Sequence, residues 1–416
     1  MNIKVFNLIH NEKSFKRYYY QPINPNSPKR TYPIKRLKGA VHRWFQAAYL
    51  PFNSKCNNQQ FDIQANKIGW GRKSKFKMLC ENLLWCFKYK EVCSYYFVYG
   101  LDMKGRSPKD YMAYTEFRVI RNILNIRQRE TVKTKYTFNY LSLVRDKFVF
   151  YQYCKSLGMP YPKTIALVSN GKVSWYDGEH MIWSDLSTVS GRNFRAFCKE
   201  TTGEGGQGAF VLESNDGVIT ISEEPATMDD LRNRFGTSTY IMQEQIKNHH
   251  LLSEVYPNSL NTLRLHTVLN RDGSVDFFSA VQRFGAHGSI VDNGCYGGMF
   301  VGVNDKGVLN DFGCHEPHTK YKRLVIKESH PDTGKTFAGL QLPYWNKILE
   351  TAKTFHKFMY GIPSIGWDIA ITEDGFCFTE AGEDWEIAFD QSVNGGQREH
   401  FYKTHGYALN IKLRNL

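Results

Sequence analysis

Between Lys75 and Arg129 apolar residues recur three and four positions apart, as Leu79, Leu83, Leu84 and Phe87 and again as Phe117, Ile120, Ile123 and Leu124. That spacing stacks side chains on one face of a helix and predicts a small helical unit. A further helix is expected over Leu141 to Gly158, where the glycine ends it and Pro160 and Pro162 prevent its continuation. Past Thr131 the dominant texture is alternation broken by turns. A strand over Thr164 to Val168 runs into Ser169-Asn170-Gly171-Lys172, and Asn215-Asp216-Gly217, Arg271-Asp272-Gly273, Asn304-Asp305-Lys306-Gly307 and Glu373-Asp374-Gly375 mark further hairpins. Helices interrupt this pattern at Thr227 to Phe235 and Pro343 to Tyr360. The expectation is an α+β chain with antiparallel sheets covered by helices.

Residues 1–60 fit neither period. They are rich in Tyr, Pro, Asn, Lys and Arg, and the stretch PINPNSPKRTYP suits an extended arm. Aromatic residues make up 15% of the 416 residues, which excludes a solvated low-complexity chain. Charge is unevenly divided. Residues 1–145 carry 28 Lys and Arg against 8 Asp and Glu, whereas residues 146–416 carry 26 against 32. Such a basic front part can be a solvated surface, or it can meet an anionic membrane or a pyrophosphate-linked saccharide. Nucleic acid is the less suitable partner, because Tyr and Lys are interleaved there without a recognisable module. No run reaches membrane-spanning length, and the first residues are too short an apolar run for a secretory signal, so a cytoplasmic chain is expected, with peripheral contact at the inner face of a membrane allowed through residues 1–145. The nine dispersed Cys fit reduced thiols, and Cys314-His315 with His318 lacks a fourth ligand for zinc.

The candidate chemistry starts with a strand ending in Lys199, a loop containing Gly203, Gly205, Gly206, Gln207 and Gly208, and a returning strand from Ala209 to Leu212. Glycines let consecutive backbone N–H groups converge on phosphate oxygens while the lysine supplies charge. A glycine-rich hairpin without a ligand has the same pattern. The surrounding order narrows the choice. Asp146-Lys147 opens a helix upstream, the strand Tyr240 to Ile246 follows, and two strands near the end carry Asp368 and Glu380, positioned to lie side by side as a Mg2+ site requires.

This succession resembles the ATP-grasp superfamily and, within it, the sugar-transfer-associated ATP-grasp proteins. The closer likeness rests on Tyr99-Gly100-Leu101-Asp102, on Pro257 to Arg264, on Arg283-Phe284-Gly285 with Val291-Asp292-Asn293 and Gly297-Gly298, and on Gly366-Trp367-Asp368-Ile369-Ala370, over roughly residues 95–400. It implies an ATP-grasp fold with a nucleotide-clasping part at 136–250 and a metal- and substrate-binding part at 251–416, after a basic N-terminal region at 1–135. ATP would be bound by Lys147, Lys199, Gly205, Gly206, Gln207, Gly208 and the backbones of Glu244 and Ile246. Asp368, Glu380 and Glu383 would hold Mg2+, and Arg264, Arg283 and Asn261 would be catalytic. The implied reaction is ATP-dependent ligation of a carboxylate to an amine in surface-polysaccharide or glycoconjugate assembly. A non-turning-over nucleotide binder and a phosphotransferase acting on a hydroxyl are the rival readings.

Two positions depart from the family pattern. Gly382 stands where an Asn usually completes the metal strand, so that either Glu383 substitutes or one metal is bound differently, and Glu200 follows Lys199 where a Pro is common. The loop with Asp292-Asn293 and Gly297-Gly298 is expected to be either a tight turn or a substrate lid.

Overall fold

The alternating segments pair into two antiparallel sheets in a computed structural model that describes residues 2–11, 33–52, 71–130, 140–176, 180–203, 205–206, 208–294, 297–315 and 325–410. The first sheet contains β1 (Thr164–Ser169), β2 (Lys172–Tyr176), β3 (Met181–Asp185), β4 (Phe194–Glu200), β5 (Phe210–Asn215), β6 (Val218–Ile221), β7 (Glu224–Ala226) and β8 (Tyr240–Glu244), in the order β3-β2-β1-β8-β4-β5-β6-β7. The second contains β9 (Thr262–Leu269), β10 (Val275–Phe284), β11 (Met299–Val303), β12 (Leu309–His315), β13 (Val325–Lys327), β14 (Ser364–Thr372) and β15 (Gly375–Gly382), in the order β13-β12-β11-β10-β9-β14-β15. The expected hairpin at Ser169 to Lys172 forms as read. Asn170 and Gly171 both take positive φ, the geometry that matches the twist of the strands they join.

The helices are α1 (Ile3–His10), α2 (Pro33–Tyr49), α3 (Lys75–Tyr89), α4 (Tyr114–Glu130), α5 (Ser142–Arg145), α6 (Lys147–Leu157), α7 (Met228–Phe235), α8 (His250–Val255), α9 (Trp345–Phe358), α10 (Ile387–Asn394) and α11 (Arg398–His405). One sequence expectation needs correction. The helix expected over 141–158 is two helices, because Asp146 leaves the helical conformation and its carboxylate caps α6 by accepting from the N–H groups of Phe148 and Val149, each at 2.9 Å. In α3, the side turned inward is Met78, Asn82, Trp85, Cys86 and Tyr89, whereas Leu84 and Phe87 are exposed. The PINPNSPKRTYP segment lies outside the described residues except for its final proline, where α2 begins.

The N-terminal helices share a core with the end of the chain. Val5, Ile9, Trp85, Phe117 and Ile120 pack with Val268 and Phe278 of the second sheet and with Trp385, Ile387 and Phe401. Polar ties cross the same boundary. Arg398 pairs with the fully buried Glu116, which also accepts a 2.7 Å bond from the Tyr402 hydroxyl, and Arg121 donates to the Trp385 carbonyl at 2.7 Å. The other face of the second sheet packs against α5, α6 and α9, joining Val144, Phe150 and Cys154 to Trp367, Ile369 and Phe378. Among the described residues no helix is long and apolar enough to cross a membrane, and the described cysteines are free thiols.

Inside that core His356 is fully buried and held in one neutral tautomer. Its Nε2–H donates to the Ile362 carbonyl at 2.8 Å, so Nδ1 is the acceptor facing the Thr267 hydroxyl at 2.7 Å. Burial pushes its pKa down from 6.5 to about 4, opposed by the bond to Ile362. Between these values the unfolded chain binds the proton and the folded chain does not. Stability is therefore complete above about pH 6.5 and declines as pH falls toward 4, with a slope of at most about 1.4 kcal/mol per pH unit from this residue. Urea unfolding at a series of pH values checks this: the acid-side slope should shrink in His356→Asn and remain in an unrelated surface His variant.

Candidate functional site

The two sheets face each other across a cavity of about 660 Å3. The first sheet contributes Arg195, Phe197 and Lys199 from β4, which alternate with residues directed elsewhere and so line one face, together with Val211 of β5 and Gln243 and Glu244 of β8. Lys147, at the start of α6, reaches the cavity because its backbone N–H is bonded to the Thr201 carbonyl at 2.8 Å. Its ammonium donates to the Gly203 carbonyl and lies 3.9 Å from Glu380. The Lys199 ammonium is 3.2 Å from both the Glu380 carboxylate and the Thr379 carbonyl. Two lysines from the first sheet's side thus converge on one carboxylate of the second.

Across the second sheet, Arg264, Asp368 and Glu380 form a single cross-strand row on β9, β14 and β15, because Asp368 is register partner to both of the others. A register irregularity between Asp368 and Ile369 accompanies this pairing, as expected where a bulge re-aims a side chain. Asp368 is bound by the Arg264 guanidinium through both oxygens, one contact being 2.9 Å, and by Arg283 at 2.9 Å. Burial alone would raise its pKa; the two guanidiniums outweigh burial and hold the carboxyl ionised well below the usual range. Arg283 also donates to the Thr262 hydroxyl at 3.1 Å, and that hydroxyl donates to Asp292 at 2.5 Å. Burial acts to lower the Arg283 pKa, but Asp292 and Asp368 together drive it up, so the guanidinium stays charged.

The rim is made by the glycine-rich loop and the loop after β10. Gly205, Gly206 and Gly208 all have φ near +70°, a backbone that side chains disfavour. The Asn293 amide donates to the Gly205 carbonyl at 3.0 Å, and Val291 lies where a side chain on Gly206 would reach. The 286–298 loop therefore meets the glycine-rich loop over the cavity. Gly205 and Gly206 line the cavity, Gly208 turns toward the Tyr240 hydroxyl, and Gln207 lies outside the described residues. Glu200 lines the cavity and meets the Tyr240 hydroxyl at 3.4 Å. At the far end the Glu244 N–H is bonded to the Lys163 carbonyl at 2.9 Å, whereas Ile246, beyond the strand, has its main chain unpaired among the described residues.

Arg264, Arg283, Lys147, Lys199, Glu244, Ile246, Asp368 and Glu380 all border this one cavity. Two other residues expected here do not. Asn261 is fully buried with its amide consumed by the chain: it donates to the carbonyls of Leu252 and Tyr256 at 3.1 and 2.6 Å and accepts from the Ser259 hydroxyl at 2.8 Å. It fixes the end of α8, and Gly285 has no side chain because Ser259 and Tyr256 approach within 2.6 Å of where its Cβ would be. Glu383 is buried off the cavity lining and held by Arg145, whose Nε donates at 2.5 Å, so its carboxylate anchors α5. Sequence reasoning missed Arg195 and Thr262. The period-two spacing of Arg195 with Phe197 and Lys199 would have found the first; the second depends on a long-range contact with Asp292.

His249, His250 and Glu373 bring their ligand atoms within 4.8 Å of one another outside the cavity. They are held as a polar cap: His249 Nδ1 accepts from the Leu251 N–H at 3.3 Å, which puts the ring proton on the Nε2 facing Glu373. Cys314 and His315 are buried on β12, and His318 lies outside the described residues.

A family model described as sugar-transfer associated ATP-grasp matches residues 127–402. Among solved structures, the chain is similar to N5-carboxyaminoimidazole ribonucleotide synthetase from Thermotoga maritima, at 15% identity and a TM-score of 0.35 over 71% of this chain and 57% of that one. It is also similar to biotin carboxylase from Campylobacter jejuni, in complex with beta-gamma-ATP, at 12% identity and a TM-score of 0.37 over 66% and 48%, and to D-alanine–D-alanine ligase from Bacillus anthracis, at 10% and 0.34 over 65% and 67%. The chain spans about half the length of the first two. No curated protein matches it.

The Arg145–Glu383 pair yields a stability prediction. Removing the guanidinium in Arg145→Ala leaves a carboxylate that is 2% exposed without a counter-charge and should cost about 2–3 kcal/mol in urea unfolding, toward the low end because Arg145 itself is partly open to solvent. Glu383→Gln in the Arg145→Ala background should recover most of that loss.

Proposed function

The chain belongs to the sugar-transfer associated ATP-grasp family, and from that premise we propose that it binds Mg·ATP in the cleft between its two sheets and uses it to activate a carboxylate for ligation to an amine. The observation that carries this reading is the convergence of Lys147, Lys199, Arg264 and Arg283 around the adjacent carboxylates Asp368 and Glu380 at the base of one cavity roofed by glycines.

The parts divide as follows. Phe197, Val211 and Ile246 offer an apolar slot for adenine, with the unpaired main chain of Ile246 available to its polar edge. Lys147 and Lys199 would take phosphate oxygens, releasing Glu380 from Lys199. The donor set suits Mg2+: two hard carboxylates side by side, one of them kept ionised by its neighbours. Asp368 and Glu380 would hold Mg2+, which when bound supplies positive charge to offset that on the phosphate oxygens. Gly382 supplies no third donor, yet a side chain there would meet nothing within 4 Å, so the position is open.

Transfer of the γ-phosphoryl group to a carboxylate oxygen breaks its bond to the β-bridging oxygen, releases ADP and forms an acyl phosphate. An amine nitrogen then attacks the acyl carbon, expelling inorganic phosphate and giving up a proton. Arg264 and Arg283 would carry the charge that shifts during both steps, a role supported by their ion pairs with Asp368 and Asp292, which fix their direction beforehand. The 286–298 loop would exclude water from the acyl phosphate. The family's association with sugar transfer supports a carboxylate or amine carried on a saccharide or glycoconjugate.

Calorimetry with a non-hydrolysable ATP analogue tests the reading. The intact protein should bind in a Mg2+-dependent way, Lys199→Ala should weaken binding by about tenfold to a hundredfold, and Asp368→Asn should abolish the Mg2+ dependence. A folded protein that binds no analogue would sink the proposal. In a second arm, Gly382→Asn should strengthen the Mg2+ dependence, since the new amide enters open space beside Glu380.

A further inference from the structure

The N-terminal helices turn apolar side chains outward in an ordered way. On α2, Val41, Trp44, Phe45 and Tyr49 follow the three-and-four spacing of one helix face, and this face is exposed, Phe45 by 69%, while Ala47 on the opposite side is buried. On the neighbouring α3, Phe76, Leu84 and Phe87 form a second outward stripe, with Phe76 74% exposed. A surface helix normally buries such a stripe against its own core. Nine of the seventeen large apolar side chains exposed among the described residues lie between Ile3 and Phe87.

The charge around these stripes has one sign. Residues 33–52 contain four Lys and Arg and no Asp or Glu, and residues 71–90 contain six against the single Glu81. Glu81 is turned inward, where it holds the buried Lys73 ammonium at 3.0 Å and the Tyr96 hydroxyl at 2.5 Å. Lys38, Lys75 and Lys77 are exposed, and the Lys75 ammonium lies 5.8 Å from the exposed Phe52 ring, so cations and aromatic rings are interleaved. Aromatic side chains flanked by lysines with long apolar stems match the boundary between acyl chains and anionic headgroups, where rings enter the hydrocarbon edge and ammonium groups stay with phosphate.

We propose that the exposed faces of α2 and α3 form a docking surface for an anionic membrane, with Trp44, Phe45 and Phe76 inserting at the interface and Lys38, Lys75 and Lys77 engaging lipid phosphates. The surface lies apart from the cavity residues, so it anchors the protein without taking part in the chemistry.

Cosedimentation of the full chain with vesicles tests this, using phosphatidylcholine alone and phosphatidylcholine mixed with phosphatidylglycerol. Binding should require the phosphatidylglycerol and weaken as salt is raised. Trp44→Ser with Phe45→Ser should lower partitioning by about tenfold or more, and each of Lys75→Gln and Lys77→Gln by about fivefold. ATP-analogue binding by the same variants reports that they remain folded, and circular dichroism does so independently of the ATP reading. No binding to the anionic vesicles, equal binding to neutral ones, or full binding by the double serine variant would each overturn the proposal. So would a concentration-dependent dimer that buries Trp44 and ignores vesicles, which would make this face a contact between copies.

Discussion

The buried carboxylate of Asp368, held between Arg264 and Arg283, is the interaction on which the site depends. Removing three charges from water is expensive, and it is tolerated only where the partners satisfy one another with directed hydrogen bonds. The cross-strand register of β9, β14 and β15 supplies that direction, since it brings Arg264, Asp368 and Glu380 abreast in one row. The Thr262 hydroxyl extends the network to Asp292 and so to the loop over the cavity. Charge placement at the base and loop position at the rim are therefore parts of one hydrogen-bonded chain.

Much of the fold was legible locally. The hairpin at Asn170-Gly171 and the capped start of α7 at Thr227 depend on neighbours a few residues away, and both form where the residue types predict. The site was legible to the extent that motif order substitutes for distance: Lys147, Lys199, Asp368 and Glu380 are far apart in sequence and meet because two sheets close on each other. The failures share a cause. Asn261 and Glu383 have the right chemistry and lie in the right motifs, but Leu252, Tyr256 and Arg145 already occupy them, and periodicity carries no information about those partners.

The basic front part also reads differently in three dimensions. Three of its acidic residues are structural: Glu116 meets Arg398, Glu91 accepts from the Thr115 N–H and hydroxyl, and Glu81 holds Lys73. With Glu81, Glu91 and Glu116 turned inward and Asp110 exposed, the described part of the region presents a surface more strongly cationic than its composition conveys.

The core that joins Val5 and Ile9 to Phe401 and Leu409 spans nearly the whole chain. On a ribosome the first helix can meet α3 and α4 early, through contacts such as those of Phe6 and His10 with Phe87, but the part of its core supplied by Trp385, Phe401 and Leu409 is made far later. The two sheets are built largely from hairpins close in sequence, although β8 must return between β1 and β4 and β14 must return beside β9 to complete them. Closure of the N-terminal helices onto the two-sheet body therefore waits on the late-made residues of this shared core. A product truncated before Phe401 would lack that side of the shared core and leave the rings of Phe117 and Phe278 partly uncovered.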